Sequence, residues 1–266
     1  MTKATGKVRV GIGGWVFEPW RGSFYPDDLV QKRELEYASR QLTTIEVNGT
    51  YYGSQKPATF QSWHDETPDD FVFALKGPRF ATNRKVLAEA GPSVEKFLSS
   101  GIARLGAKLG PLNWQFMATK KFDPVDFAAF LALLPKQLEG LPLRHAVEVR
   151  HDSFACAEFV DLARAHDVAV VVSADGAFPQ IADITTDFVY ARILGTVEDE
   201  PLGYAPQALD VWTERAKLWA TGEVPTGLAT FAKPAKPAPR DVFLYVISGY
   251  KERNPQAAMG IIERLG

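Results

Sequence analysis

Apolar residues fall in eight short runs that alternate with helix-like stretches along the 266-residue chain. Most runs contain branched or aromatic residues and end in a polar or charged one, as strands often do. The predicted strands are 8–12, 43–47, 71–75, 111–116, 145–149, 168–172, 187–193 and 241–247. Strands that alternate with helices in this number are typical of an α/β fold of the TIM type, a closed (β/α)8 barrel of parallel strands.

The segments between these runs predict helices of uneven length. Residues 123–138 begin with an Asp cap followed by Pro and carry a strong apolar face, and 152–167 is similar. The other predicted helices are 28–41, 57–67, 92–105, 205–222 and a last one from Asn254. Residues 174–187 resemble a loop, and no sequence repeat is found beyond the strand–helix unit.

One Pro-, Lys- and Ala-rich segment, 230–240, interrupts the alternation and predicts an extended exposed connection. A basic arm that contacts phosphates is the alternative interpretation of its lysines.

Composition favours a single soluble domain that spans residues 1–266. Hydrophobic residues make up 46% and charged residues 23% of the chain, which is ordinary for a globular protein. The net charge of −2 gives no overall field that favours nucleic acid or a membrane as a partner. The single cysteine, Cys156, excludes an internal disulfide, and no signal peptide or membrane span is found, so we expect a cytoplasmic protein.

Polar residues at the ends of the predicted strands should converge on one mouth of the barrel, where barrel enzymes place their chemistry. Strand alternation puts Glu46 and Asn48 on one face, and likewise Glu148 and Arg150, so these four should point into the mouth. The catalytic candidates are Glu46, Glu148 and Lys76. The ligand-binding candidates are Trp15, Trp20, Asn48, Tyr52, Arg79, Gln115, Arg150, His151, Asp175, Arg192 and Ser248.

Several chemistries are open to these residues. Glu46 and Glu148 could act as general acid and base, as in glycosidases, while basic residues neutralise developing charge. Lys76 lies among apolar neighbours, which favours anion binding or, alternatively, a role as base or Schiff-base nucleophile. The same charges would also fit a structural network that plugs the barrel end.

Metal and nucleotide cofactors have little support. Only His151 of the four histidines is expected at the mouth, which argues against zinc, whereas Glu46, Glu148 and Asp175 leave a Mg²⁺ or Mn²⁺ site as an alternative. No glycine-rich nucleotide motif or Gly-x-Ser-x-Gly elbow occurs. The loop at Ser248, followed by basic residues and a helix cap, is either a phosphate-binding loop or an ordinary connection.

Several stretches resemble the YecE-like family, known as domain of unknown function 72. They are GIGGW, WRGSFYP, ELEYASR, TIEVNGTYYG, TFQSWHDETPDDFVFALKGPR, HAVEVRHDSF and DFVYARILG. They cover most of the chain in the family's order, so the resemblance implies a barrel similar to the apurinic-endonuclease and xylose-isomerase kinds, without an agreed activity. It also points to the mouth residues named above, except Gln115 and Ser248.

Three departures from the family pattern lie on one side of the mouth. Met117 falls where the family usually has Gln-Leu-Pro-Pro, Leu194 replaces the histidine of Arg-Leu-His-Gly, and Ser248 ends a segment that is usually Tyr-Phe-Asn-Asn. The resemblance therefore implies either a different ligand or a weakened activity, and loss of that histidine lowers the odds of a metal.

The sequence favours an enzyme, hydrolase- or lyase-like, that binds an anionic, phosphate-containing or sugar-like small molecule at the mouth. A nucleic-acid-binding or endonuclease-like protein is one alternative, although an isoelectric point near 6.1 counts against it. A non-catalytic ligand-binding or scaffold protein is the other.

Overall fold

Parallel strands close into a barrel in the computed structural model, which describes residues 5–266. The strands are β1 (Val8–Gly13), β2 (Thr44–Val47), β3 (Val72–Lys76), β4 (Leu109–Gln115), β5 (His145–Glu148), β6 (Ala169–Val170 and Val172–Ala174), β7 (Phe188–Ile193) and β8 (Asp241–Val246). Each pairs in parallel with the next, and β8 pairs with β1. The predicted TIM-type fold is confirmed.

The ring closes through β6, which is split at Val171. Its first segment, Ala169–Val170, pairs with β5, and its second, Val172–Ala174, pairs with β7. Between them the Val171 amide donates to the Val147 carbonyl at 3.0 Å. Over its six residues, β6 therefore pairs first with β5 and then with β7.

Helices form the outer layer. They are α1 (Glu34–Gln41), α2 (Gly49–Tyr52), α3 (Pro57–Glu66), α4 (Arg79–Thr82), α5 (Gly91–Leu98), α6 (Pro124–Ala132), α7 (Ala157–Ala165), α8 (Pro206–Thr221) and α9 (Asn254–Leu265). Turns of 3₁₀ helix are Glu18–Trp20, Gln31–Arg33, Leu87–Ala90, Ile102–Lys108, Asp152–Phe154 and Lys251–Arg253. No helix of residues 5–266 is long and apolar enough to cross a membrane.

Four predicted helices are shorter than expected. The helix predicted at 152–167 spans Ala157–Ala165 and follows a separate 3₁₀ turn at Asp152–Phe154. The helix predicted at 123–138 ends at Ala132, and the chain then forms a small antiparallel hairpin of Gln137–Leu138 and Leu141–Pro142. The helix predicted at 92–105 is interrupted at Gly101, whose φ of 102° is left-handed and ends the α-helical path. The first helix begins at Glu34 rather than at residue 28, after a 3₁₀ turn.

The barrel interior changes from apolar to polar along the strands. Thr44, Ala74 and Ala146 are small inward-facing residues, and they leave room for Tyr190 and Tyr245, whose rings lie 5.0 Å apart. Outward-facing residues of the same strands pack against the helices in a continuous hydrophobic layer. Two residues further along β2, β3, β5 and β7, towards their carboxyl ends, the inward-facing side chains are charged.

Candidate functional site

Arg192 on β7 joins two glutamates at the centre of the barrel mouth. Its Nη1 donates to Glu148 Oε2 at 2.6 Å and its Nη2 donates to Glu46 Oε1 at 3.2 Å. All three side chains are 3% exposed or less. Charges so deeply buried are tolerated only when they are paired and hydrogen-bonded, and this triad meets both conditions.

Two neutral side chains complete the bonding of the glutamates. Tyr190 donates its hydroxyl to Glu46 Oε2 at 2.6 Å. Asn113 Nδ2 lies 3.3 Å from Glu46 Oε2 and 3.4 Å from Glu148 Oε2. Neither residue was predicted from sequence. Strand alternation was the available signal, because Tyr190 lies two residues before Arg192 and Asn113 lies two before Gln115.

Glu148 is also held by Arg150. Arg150 Nε and Nη2 donate to Glu148 Oε1 at 2.8 and 2.7 Å, in the two-pronged geometry that arginine prefers. Burial alone would raise the pKa of Glu148, but Arg192, Arg150 and Lys76 together lower that pKa to about 2. Glu148 therefore carries no proton at neutral pH and is a weak base, which does not suit the acid–base role predicted for it.

Arg192 is correspondingly fixed in its charged form. Burial would lower the pKa of Arg192, but Glu148 and Glu46 raise this pKa above its ordinary value. Glu46 has no exposed surface and accepts bonds from Arg192, Tyr190 and Asn113. Neither glutamate is thus accessible to a substrate in this arrangement, and both serve as counter-charges beneath the mouth.

Lys76, at the end of β3, forms no ion pair with a carboxylate of residues 5–266, unlike Arg150 and Arg192. It is 5% exposed, and its Nζ donates to Gln115 Oε1 and lies 4.8 Å from the centre of the Tyr51 ring. Burial lowers the pKa of Lys76 to about 8, and Arg192 and Arg150 contribute to this fall while Glu46 and Glu148 oppose it. The mouth thus contains two carboxylates against the cations of Lys76, Arg150 and Arg192, a surplus of one positive charge.

Arg150 and Asn48 lie beside this cluster. The Arg150 guanidinium packs over the Phe178 ring, with 4.3 Å between its Cζ and the ring centre, and the Arg150 side chain is 21% exposed. Asn48 lies outside the strand, since β2 ends at Val47 and Asn48 has helical dihedral angles at the start of α2. Its amide is nevertheless close to β1, because a Cβ built on Gly13 would lie 3.0 Å from Asn48 Nδ2.

Three sequence-predicted residues are not brought to the cluster. Trp20 is fully buried among apolar side chains, and Trp15 packs against Trp63 at 5.2 Å on the helical side of the sheet. Asp175 has a φ of 60°, and its Oδ2 accepts hydrogen bonds from Trp212 Nε1 at 2.9 Å and from the Tyr204 hydroxyl at 3.2 Å. Asp175 is thus held by α8 and its preceding loop, so the three-acid metal set does not assemble.

The remaining candidates lie in the segments that follow the strands, Tyr52 in α2, Arg79 at the start of α4, and His151 and Ser248 in loops. Tyr52 is 65% exposed and Arg79 lies near it, with 5.8 Å between the guanidinium carbon and the ring centre. His151 Nδ1 accepts the Ser153 amide at 3.1 Å, and the Ser248 carbonyl accepts the Thr196 hydroxyl at 2.9 Å. In the part of the chain that the structure describes, no three His, Cys, Asp or Glu side chains are placed to hold a metal.

Comparison with solved structures shows the same fold. A DUF72 family protein from Thermotoga maritima MSB8 superimposes with a TM-score of 0.72 at 24% identity, over 97% of this chain and 99% of that one. A DUF72 family protein from Enterococcus faecalis V583 gives a TM-score of 0.70 at 16% identity, over 97% and 95%. SacUVDE gives 0.52 at 8% identity, over 98% of both chains.

Comparison of sequences identifies the family. The UPF0759 protein YecE of Escherichia coli K12 is 32% identical over 123 residues, which make up 45% of this chain and 42% of that protein. The match thus spans less than half of that curated relative. The family model described as "Protein of unknown function DUF72" matches residues 9–266, and the chain therefore belongs to the DUF72 family.

Proposed function

We propose that the barrel mouth binds a small anionic molecule, with a phosphate or carboxylate group, and that Lys76 supplies the charge that holds it. The supporting observation is the surplus positive charge at the mouth, located on a lysine that is 5% exposed. A buried cation that is held only by neutral groups is costly, and an anion placed against Lys76 Nζ would neutralise it.

Arg150 provides a second contact in this proposal. Two of its nitrogens are used on Glu148, whereas Nη1 donates to no acceptor among residues 5–266. The partial exposure of Arg150 allows that nitrogen to face a ligand above the mouth. Because Glu148 and the Phe178 ring hold the guanidinium, its orientation is set before the ligand arrives, which lowers the entropic cost of binding.

Lys76 is also the acid–base group of the proposed activity, in place of Glu46 and Glu148. A group with a pKa of about 8 can both donate and accept a proton near neutral pH. The class of chemistry is proton transfer on a hydrolase- or lyase-type substrate, with Arg150 stabilising developing negative charge.

Calorimetric titration of the purified protein with inorganic phosphate, sulfate and acetate tests the binding proposal. We expect Lys76→Met to weaken phosphate binding at the mouth by at least about tenfold, because a charged hydrogen bond of roughly 1.5–3 kcal/mol is removed. Lys121→Met, at an exposed lysine, is the charge-matched control and should leave binding unchanged. Equal affinity of wild type and Lys76→Met would reject the proposal.

A further inference from the structure

A separate cavity of about 410 Å³ lies beside the mouth, bounded by α2, α4, α5 and the loop before α3. We call it the basic pocket, and its lining residues are Thr50, Gly53, Ser54, Gln55, Pro78, Phe80, Arg84, Ser93, Lys96, Phe97 and Ser100. Its volume falls within the range of small-molecule sites, about 300–1,000 Å³. None of these lining residues is acidic, so the pocket carries two positive charges and no negative one.

Both cations of the basic pocket are available to a ligand. Arg84 Nη2 donates to the Ser93 hydroxyl at 3.2 Å, while its Nε is buried and has no acceptor within residues 5–266. Over the same residues neither Arg84 nor Lys96 forms an ion pair. The Nε of Arg84 is therefore free to donate to an oxygen atom of a ligand, and a charged donor of this kind forms strong hydrogen bonds with phosphate.

Helical spacing explains how α5 contributes to the wall. Ser93, Lys96 and Phe97 are separated by three and four residues and therefore share one face of α5. Ser54 and Gln55 supply a hydroxyl and an amide from the loop on the opposite side. The polar groups thus converge on the cavity from two separate elements.

The pocket also has an apolar part. Phe80 is 59% exposed at its edge, and Phe97 and Pro78 form part of its wall. An exposed aromatic ring beside free cations is the combination expected for a ligand with a flat ring and a charged group.

We infer that the basic pocket binds a small organic phosphate, a phosphate monoester of a flat aromatic or heteroaromatic group up to the size of a mononucleotide. Arg84 and Lys96 contact the phosphate, the hydroxyls of Ser93 and Ser100 accept or donate around it, and Phe80 covers the ring. This site is distinct from the mouth, because neither Lys76 nor Arg150 is among its lining residues. Thr50 lies between the two, since it lines the pocket and its hydroxyl donates to the Lys76 carbonyl at 2.7 Å.

Calorimetric titrations of the full chain with phenyl phosphate, adenosine 5′-monophosphate and adenosine test the assignment. We expect at least one of the two esters to bind with a dissociation constant below about 1 mM, and adenosine not to bind, because it lacks the phosphate. Arg84→Gln and Lys96→Gln should each weaken the ester about tenfold. Lys96 is exposed, and its side chain forms no hydrogen bond or ion pair with residues 5–266, so its variant tests the site even if Arg84→Gln is unstable.

Two further variants separate this site from its surroundings. Lys85→Gln removes an exposed charge next to Arg84 that does not line the pocket, and it should leave ester affinity unchanged. Phe80→Ser should weaken phenyl phosphate and leave inorganic phosphate unchanged. The assignment is overturned if neither ester binds, if Lys85→Gln weakens binding as much as Lys96→Gln, or if only Lys76→Met abolishes binding, which would place the ester at the mouth.

Discussion

Arg192 is the residue on which the buried mouth charges depend, because it pairs with Glu46 and Glu148 at the same time. Two buried carboxylates with only neutral donors around them would be costly. A network that only plugs the barrel would balance its charge with these three residues and Arg150, which pairs with Glu148. Lys76 is the additional cation, and it is the residue that distinguishes a binding mouth from a plug.

Replacing Glu148 should show how strongly the network stabilises the fold. Glu148→Gln leaves Arg150 without a charged acceptor and Arg192 with Glu46 alone, so we expect a loss of about 3 kcal/mol in the free energy of unfolding. Urea denaturation at pH 7 measures it. Asp161→Asn, which alters an exposed pair with Arg164 at 3.4 Å, should cost less than about 1 kcal/mol. Similar losses in both variants would contradict the buried-network interpretation.

The difference in the free energy of unfolding between wild type and Glu148→Gln should depend on pH. The folded-state pKa of Glu148, about 2, is lower than the ordinary value of 4.5, so the unfolded chain binds the proton more tightly. The stabilisation by Glu148 is therefore complete above pH 4.5 and is lost as the pH falls to about 2. The difference between wild type and Glu148→Gln should shrink across that window, and a difference that stays constant would assign the effect to packing instead of charge.

Anion affinity at the mouth should follow the protonation of Lys76. Because the pKa of Lys76 is about 8, the cation that binds the anion is present below pH 8 and is lost above it. Sulfate keeps the same charge from pH 7 to 10, so its affinity is expected to be level from pH 7 to near 8 and then to fall, by up to about tenfold per pH unit. Titrations from pH 7 to 10 measure this, with chloride concentration held constant. Affinity that stays level up to pH 10 would exclude Lys76 as the binding cation.

At the scale of single elements, the strands could be predicted from the sequence, whereas the polar side chains that meet at the mouth could be predicted only in part. The apolar runs predicted the position of every barrel strand. The charged residues near the ends of four of these strands, Glu46, Lys76, Glu148 and Arg192, were correctly predicted to lie together. Asp175 could not be placed, because its left-handed backbone turns the side chain towards α8, and no local pattern in the sequence encodes that turn. A glycine in the sequence likewise predicted the end of a helix only at some positions.

Gly222 ends α8 and should tolerate no larger residue. Its φ is 93°, and a Cβ there would lie 2.5 Å from the Ala238 carbonyl carbon. Gly140, in the hairpin loop, has a φ of 82° but no atom within 4 Å of a Cβ. We expect Gly140→Ala to cost about 1 kcal/mol from backbone strain and Gly222→Ala to cost clearly more, because it adds a steric clash with the backbone. Chemical denaturation of both variants provides the comparison, and equal costs would mean that residues 222 and 238 move apart freely.

At the scale of the whole molecule, the pairing between strands of the barrel is weakest at β6. Each segment of β6 is two or three residues long and pairs with a neighbour on one side. Residues 175–187, which follow it, form no helix. By contrast, β8 pairs with β1 on one side and β7 on the other over five and six residues. The mouth charges on β5 and β7 therefore flank the weakest part of the barrel.

Local opening of the barrel should consequently begin at β6. Amides of residues 169–174 are expected to exchange with solvent at least about tenfold faster than those of 242–246, although side chains in both segments are buried, because exchange follows local opening free energy more than burial. Hydrogen exchange resolved by residue, at pH 7 without denaturant, measures the difference. A saturating anion at the mouth should slow exchange in β6 selectively, since Arg150 packs against Phe178 just beyond it. Equal protection of β6 and β8 would instead mean that the ring opens only when the whole chain unfolds.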